Sequence, residues 1–358
     1  MVKYIVFEIT GKCNLKCKYC YNSKYNTKEF QNTELSKEKV LEILNEAKNL
    51  GFELSAFSGG EPFIREDLME IVEKSPLPVS ILTNGELITE EQMKVLSKLK
   101  HIKELRFSLD GFDSHNKVRV NSDYKRVLEK IKIAKKLNIY TSINTLITSF
   151  NIDEIIKLYE LIKNNFYGVM WRLDVPIISG RCVSNKDNLS VNKDKLFKKL
   201  KELILLYMKE KPKLKIIIAD IFKSSLVTKG FYKHTLKEHP CDYALGSVTV
   251  RPNGDISFCP SLGIAFGNVK DKTLKEAMNG KEFKQFRKMK IEDVKPCQKC
   301  KYLYICGTGC RADAYTLDQD LEGKDPSACE HFHYFEKYIV PLLPENIQEQ
   351  FDSIVNKT

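Results

Sequence analysis

The residues best suited to chemistry lie in the stretch EITGKCNLKCKYCYNSKY, residues 8–25, where Cys13, Cys17 and Cys20 follow the spacing C-x3-C-x2-C. Thiolates are soft ligands that select zinc and iron-sulfur clusters. Three on one short loop can point inward around a single small centre. A structural zinc site or a fully ligated cluster takes four protein ligands, so this loop is one short. Two arrangements satisfy the count. A four-iron cluster can leave one iron without a protein ligand, open to a chelating substrate or cofactor, or a zinc ion can be completed by a distant His or Asp. An open position marks a site built for reaction, as in catalytic zinc.

A second group, Cys241, Cys259, Cys297, Cys300, Cys306, Cys310 and Cys329, reads C-x12-G-x4-C, then C-x2-C-x5-C-x3-C, then a lone cysteine. Seven exceeds the need of one tetrahedral site. On its own, C-x2-C-x5-C suits a zinc ribbon as well as an iron-sulfur centre. Cys182 belongs to neither group. It follows Pro176–Arg181, where a thiol could donate a hydrogen atom to a substrate radical, complete a metal site, or simply pack as a small apolar side chain. Asp174, just upstream, could act as a base or pair with Arg172. The six histidines form no recognisable constellation, and His331 and His333 read as flanking Cys329.

Eleven cysteines in 358 residues need a redox context. Met1 runs straight into the alternation of KYIVFEIT, without a basic region, apolar core or cleavage site, and no window approaches eighteen consecutive apolar residues. The expectation is a soluble cytoplasmic chain, where disulfides are disfavoured and metal ligation is the default for cysteine. The charge, 58 Lys+Arg against 47 Asp+Glu for a net +11, would suit an acidic partner. Yet the lysines are scattered over amphipathic segments such as KKLKELILLYMKEK, which reads as solvated helix faces. Aromatics are not interleaved with basic residues on one face, so no nucleic-acid partner is expected.

The elements that must position these cysteines alternate regularly. Strand candidates are 3–10, 53–60, 79–85, 104–111, 140–148 and 167–176. Helix-period segments between them open at the caps Ser36, Thr89, Ser122 and Asn151. With Asn192–Lys211 as a sixth helix, strict alternation predicts parallel strands joined by right-handed crossovers, a partial (β/α)6 TIM-type barrel. Functional groups then belong at the C-terminal ends of its strands. Past residue 214 the pattern changes. LKIIIAD reads as one more strand, and SVTVRPNGDISFC as a hairpin with a two-residue Asn253-Gly254 turn. One short helix, TLKEAMNGKEFKQFRK, precedes the cysteine-dense tail. The expected division is a barrel over 1–212, a linker over 213–240, and a small cysteine-rich α+β domain over 241–358.

The first cysteine loop, with Tyr19 before its last thiol and a strand before it, resembles the signature of the radical S-adenosylmethionine (radical SAM) superfamily. The resemblance implies a 4Fe-4S cluster whose free iron is chelated by S-adenosylmethionine, cleaved by one electron to a 5'-deoxyadenosyl radical that abstracts hydrogen. Ser58-Gly59-Gly60-Glu61-Pro62 resembles the family's GGEP motif, which holds the methionyl amino group; glycines admit close backbone approach and a carboxylate suits an ammonium. By the same analogy Ser108 and Asn144 meet the ribose hydroxyls or the methionyl carboxylate, and Tyr19, Gly59, Gly60, Glu61 and Pro62 complete the cofactor contacts. Thr83-Asn84-Gly85 reads as no more than a turn.

The second group resembles the SPASM extension of that superfamily, which holds two auxiliary clusters, making three 4Fe-4S clusters in all. Carried over by position, Cys297, Cys300, Cys306 and Cys329 ligate the distal cluster, and Cys241, Cys259 and Cys310 the inner one. The inner set lacks the additional cysteine of anaerobic sulfatase maturases, so either an open iron or a non-cysteine ligand is expected there. The resemblance implies an oxygen-sensitive enzyme fed by a one-electron reductant such as flavodoxin or ferredoxin. Its commonest work is modification of a ribosomally made peptide or protein substrate by crosslink, thioether, epimerisation or side-chain oxidation. The alternative is small-molecule cofactor biosynthesis, such as tetrapyrrole (haem-type) side-chain decarboxylation or oxidation. With the first strand at residue 3, leader recognition is expected from a separate leader-peptide-binding protein, or not at all.

Overall fold

A computed structural model describes residues 3–218, 226–227 and 230–356. Seven strands follow the predicted order: β1 Tyr4–Thr10, β2 Leu54–Gly59, β3 Val79–Thr83, β4 Ile102–Ser108, β5 Thr141–Leu146, β6 Met170–Asp174 and β7 Lys215–Ile217. The strand expected over LKIIIAD is thus three residues long, and its last two positions, 219–220, lie outside the described residues. A two-stranded ribbon, β8 Leu226–Val227 and β9 Gly230–Phe231, precedes β10 Ser247–Val250 and β11 Ile256–Ser257. The main sheet has nine strands in the order β11-β10-β1-β2-β3-β4-β5-β6-β7. Every pairing is parallel except β10 with β11. This is an open barrel, extended on one side by strands from the C-terminal region.

Alternation fixes what each sheet face does. Phe7, Phe57, Ile81, Phe107, Ile143 and Trp171 are almost wholly buried beneath helices Lys37–Asn49, Leu68–Lys74, Glu90–Leu96, Tyr124–Lys136, Ile155–Asn165 and Lys193–Glu210, in one continuous apolar cluster. The opposite face carries polar residues in cross-strand register, Glu8 beside Ser58, Ser108 beside Asn144, and Asn144 beside Arg172. A polar lumen inside an apolar shell is what a barrel needs in order to hold a ligand.

Local chemistry departs from the sequence reading at a few points. Ser36 and Thr89 cap as expected, Thr89 in a reciprocal box with Gln92. Asp123 takes the cap expected of Ser122. Ser122 turns its hydroxyl to Glu86 (2.7 Å) and His115 (2.8 Å). Asn151 braces backbone instead of capping a helix, donating to the carbonyls of Asp110 (2.6 Å) and Leu146 (2.8 Å). The β10–β11 turn is not the two-residue form. Gly254 N donates to Arg251 O (2.9 Å) and Arg251 N to Asp255 O (2.7 Å), with positive φ at Gly254 (89°) but not at Asn253. Pro252, fixed near −65°, sets the first central position of an ordinary turn, and Gly254 takes the bulge that follows. The single helix expected over 273–288 is two, Leu274–Met278 and Lys281–Lys288, separated at Asn279-Gly280.

One buried ion pair joins the two regions. Arg251 Nη1 meets Glu8 Oε1 at 2.6 Å, both side chains almost fully buried, and Asn22 and Tyr21 also donate to Glu8. Removing one partner strands a buried charge. Arg251→Met should therefore lose about 3–5 kcal/mol of unfolding free energy in urea titration, and Glu8→Gln added to it should restore part. A double variant no better than the single one would show that the pair is not what stabilises the junction.

Candidate functional site

The first cysteine loop leaves the end of β1 and is held by backbone on two sides. Lys16 N and Lys18 N donate to Val120 O (3.1 Å) and Val118 O (2.9 Å), and Arg181 N donates to Cys20 O (2.9 Å). The Arg181 guanidinium also reaches Cys17 O at 2.7 Å. From the second strand, Gly60 N donates to Thr10 O and Glu61 N to Lys12 O, both at 2.8 Å. A Cβ on Gly60 would stand 2.0 Å from Lys12 O, and one on Gly59 2.3 Å from Thr10 O. The Gly-Gly pair is what allows β2 to press against the start of the loop.

Beneath the loop lies a buried network that the sequence did not reveal. Tyr19 donates its hydroxyl to Asp110 Oδ2, which also receives Arg119 Nε at 2.7 Å, while Leu146 N donates to Asp110 Oδ1 at 2.9 Å. The Arg119 guanidinium stands 5.2 Å from the Tyr19 ring centroid. Despite the burial of Asp110, Arg119 and His115 hold its carboxyl below the usual range. Asp110 was visible in Ser108-Leu109-Asp110-Gly111, but nothing in the sequence tied it to Arg119, on a different element.

Glu61 is fully buried. It accepts from Thr83 Oγ1 (2.7 Å), Asn84 N (2.7 Å) and Phe63 N (3.2 Å), and Asn84 in turn donates to Asn14 of the cysteine loop (2.8 Å). The Thr83-Asn84-Gly85 turn is therefore the tie between this carboxylate and the thiols. Ser108 and Asn144 stand side by side on the lumen face. Arg172 Nε donates to Asp174 Oδ2 at 2.9 Å, while Asp174 Oδ1 is buried without a hydrogen-bond partner. Cys182 lies behind the first cysteine loop, buried on helix Arg181–Leu189 in a small apolar cluster with Tyr19, Val118 and Leu189, where burial pushes its thiol up to about 11. Cys17 of the first cysteine loop packs against the same cluster.

Among the remaining thiols, Cys310 neighbours Cys259 and not the C-x2-C-x5-C run that it follows in sequence. Burial first, then neighbouring Cys241 and Cys310, raise the Cys259 thiol to about 12. Cys306 is raised by burial and then by Asp325, Cys329, Cys297 and Cys300. Cys13 is raised to about 12 by burial, with Cys17 and Cys20 among the smaller causes, and Cys17 to about 11 by burial against the lowering effect of Arg119. Asp325 braces the later group, accepting from Cys310 N (2.7 Å) and, as a helix cap, from Ala328 N (3.0 Å). Gly307 and Gly309, both at positive φ, make the turn between Cys306 and Cys310. His331 faces Lys193 and the Phe197 ring on a barrel helix. None of the eleven cysteines is in a disulfide.

A radical SAM superfamily model matches residues 7–162, and an iron-sulfur cluster-binding SPASM model matches residues 241–301. The chain belongs to the radical SAM superfamily. An AdoMet-dependent heme synthase of Methanosarcina barkeri is 26% identical over 90% of this chain and 95% of its own length. A PqqA peptide cyclase of Granulibacter bethesdensis is 26% identical over 90% and 86%. The solved structure of native anSMEcpe with bound AdoMet superposes with a TM-score of 0.75 at 21% identity, covering both chains completely, which establishes the fold. The radical SAM domain implies a 4Fe-4S cluster and S-adenosylmethionine, and the SPASM domain suggests auxiliary clusters.

The donor chemistry fits such groups. The thiols are soft ligands, Leu15 N–H points at Cys13 Sγ (3.4 Å), and the cramped Gly59-Gly60 backbone forms a cradle beside them. Among the described residues no three His, Cys, Asp or Glu side chains converge as a single-ion site. Thiols that each take a separate iron of a cube need not converge.

Burial raises the Glu61 carboxyl from 4.5 to about 7, against the hydrogen bonds from Asn84, Thr83 and Phe63. The folded-state value exceeds the unfolded one, so Glu61 supports folding fully below pH 4.5 and that support fades as pH rises through 7. Denaturant titrations of metal-free protein across that window should show stability falling with pH. Glu61→Gln should flatten that slope, and an unchanged slope in the variant would assign it to other groups.

Proposed function

We propose that this radical SAM/SPASM chain modifies a peptide or protein substrate, abstracting hydrogen to form a crosslink, a thioether, an epimer or an oxidised side chain. The observation that carries the reading is the position of the Cys13, Cys17 and Cys20 loop, at the strand-end rim of an open lumen with Ser108, Asn144, Arg172 and Asp174 on its inner face. Cys13, Cys17 and Cys20 would hold the cluster that binds S-adenosylmethionine, supplying an adenosyl radical when loaded. Cys241, Cys259 and Cys310 would hold an inner auxiliary cluster, and Cys297, Cys300, Cys306 and Cys329 a distal one, three 4Fe-4S clusters in total.

The chain's own residues would do the rest. Gly59, Gly60 and Pro62 shape backbone toward the cofactor. Glu61, fully occupied by Phe63, Thr83 and Asn84, supports that turn. Ser108 and Asn144 offer adjacent polar groups from β4 and β5, and Tyr19 fixes the loop through Asp110. Asp174, with one oxygen held by Arg172 and the other buried and unpaired, would be the acceptor for a proton or a donor group of the substrate. Cys182 serves packing. A one-electron reductant such as flavodoxin or ferredoxin would feed the system in the cytoplasm.

The second reading, tetrapyrrole side-chain chemistry, rests on the similarity to the Methanosarcina barkeri protein named as a heme synthase. Incubating the reconstituted protein with peptides encoded beside its gene, and in parallel with porphyrin propionates, separates the two by mass spectrometry. A peptide mass change supports the first, and loss of carboxyl groups from the porphyrin supports the second.

Anaerobic reconstitution should give about twelve irons per chain if all three sites hold four-iron clusters. Replacing Cys13, Cys17 and Cys20 with Ala should abolish 5'-deoxyadenosine release under reduction and remove about four irons; retained release would overturn the assignment. Cys297→Ala with Cys300→Ala should spare that release in the absence of substrate yet stop product formation. Full product formation by this variant would make the distal site dispensable.

A further inference from the structure

A cleft of about 300 Å³ opens where the two cysteine regions meet. Its walls are the segments that directly follow the proposed ligands. Tyr21 and Tyr25 come after Cys20, Ser261 and Ile264 after Cys259, and Tyr315 stands on the helix capped by Cys310. Ser179 and Gly180, from the stretch after β6, close the remaining side. A Cβ on Gly180 would stand 2.4 Å from Tyr21 O, so this wall is pressed directly against the first cysteine loop.

The electrostatics of the cleft are one-sided. Two cations stand over the Tyr25 ring, with Lys24 Nζ 4.8 Å and the Arg251 guanidinium 5.5 Å from its centroid. Arg251 is neutralised by Glu8 and donates further to Pro260 O (2.8 Å) and Leu262 O (3.0 Å). Lys24 donates only to Gly263 O (3.0 Å) and, among the described residues, forms no ion pair. The carboxylates whose charge reaches it are engaged elsewhere. Glu8 binds Arg251, Asn22 and Tyr21, and Asp255 binds Asn253 (2.9 Å) and Asn268 (2.8 Å). Burial, and then the facing Arg251, depress the Lys24 ammonium below its usual value. Lys24 is thus an ammonium without an ion pair, over an aromatic ring at the exposed mouth of a cleft with no carboxylate in its lining, placed to receive an anion.

We infer that this cleft binds a carboxylate of the substrate, with Lys24 as its receptor and the Ser179 and Ser261 hydroxyls lining the approach. The inference rests on the proposed function only in taking the segments after Cys20 and Cys259 to flank the substrate. A lone ammonium is a point charge suited to a single carboxylate, where a polyanion would call for a cluster of basic groups. The carboxylate has two possible sources, an acidic residue or C-terminus of a peptide, or an acid side chain of a small molecule.

The test uses two probe pairs with the reconstituted protein under anaerobic calorimetry. The first is a decapeptide carrying one Glu and its Gln counterpart. The second is a porphyrin propionate and its methyl ester. The acid form of at least one pair should bind about five-fold more tightly than its neutral partner. Lys24→Met should erase that preference, and Lys24→Arg should keep it. All three proteins should release 5'-deoxyadenosine equally without substrate, showing that they are folded and loaded. Equal binding within both pairs, or a preference that survives Lys24→Met, overturns the carboxylate site. A Lys24-dependent preference confined to the porphyrin pair upholds the site and removes the peptide reading; confined to the peptide pair, it upholds both.

Discussion

The parallel pairing of β10 with β1 is the contact on which the rest depends. An open barrel leaves an edge of unpaired backbone groups beside its first strand, and such an edge invites non-native pairing. Here the edge is covered from within the same chain, Tyr4 to Phe7 lying in register with Ser247 to Val250. The covering strand continues into β11, only two residues long, a short edge of the kind that limits further pairing. The same pairing brings Cys241 and Cys259 to the barrel, because the Ser247 hydroxyl lies within donor reach of the carbonyls of Tyr243 (2.7 Å) and Phe258 (2.9 Å) and shares its one proton between them. Tyr243 then packs edge-on against Tyr4 with ring centroids 5.0 Å apart. The inner thiols are thereby fixed near the start of β1 and the first cysteine loop near its end, separated by roughly 20 Å, the span of a seven-residue strand.

That separation gives the polar lumen its purpose. Strand alternation already commits one face to the apolar shell. The other face can be polar only where each group finds a partner or a ligand. Most groups find partners. Glu104, Arg106 and Ser142 satisfy one another across β4 and β5, and Glu8 is enclosed by Arg251, Asn22 and Tyr21. Asp174 is different, because Arg172 fixes one of its oxygens and leaves the other buried and unpaired near the strand-end rim. The stability of the lumen wall is thus provided by internal pairs, and its spare hydrogen-bonding capacity is concentrated where the barrel architecture places function.

The architecture was largely legible because period-2 and period-3.6 patterns alternate without interruption from residue 3 to residue 211. Strand ends moved by a few residues, and Ser36 and Thr89 cap where the pattern put them. Spacing separated the first three thiols from the later seven, but it did not separate Cys310 from the run it follows. What escaped was tertiary. Asp110 and Arg119 belong to different elements, Arg251 meets Glu8 across 243 positions, and Asp325 holds Cys310 N from a separate segment. No local pattern encodes such contacts. The misplaced caps share one cause, since Ser122 and Asn151 were claimed by buried neighbours whose satisfaction outweighs that of a helix end. Pro252 likewise overrode the Asn-Gly turn signal by fixing the backbone one residue earlier.

The acidity of the thiols bears on how such a site is made. A reactive cysteine sits where positive charge or a helix end lowers its pKa. Cys13, Cys17 and Cys259 are held at about 11 to 12, raised chiefly by burial, and Arg119 and Arg181 oppose this only in part near Cys17. The fold therefore fixes the position of the sulfurs without paying in advance for their charge. Ligation requires the thiolate, so the metal must supply the compensating charge and displace the protons.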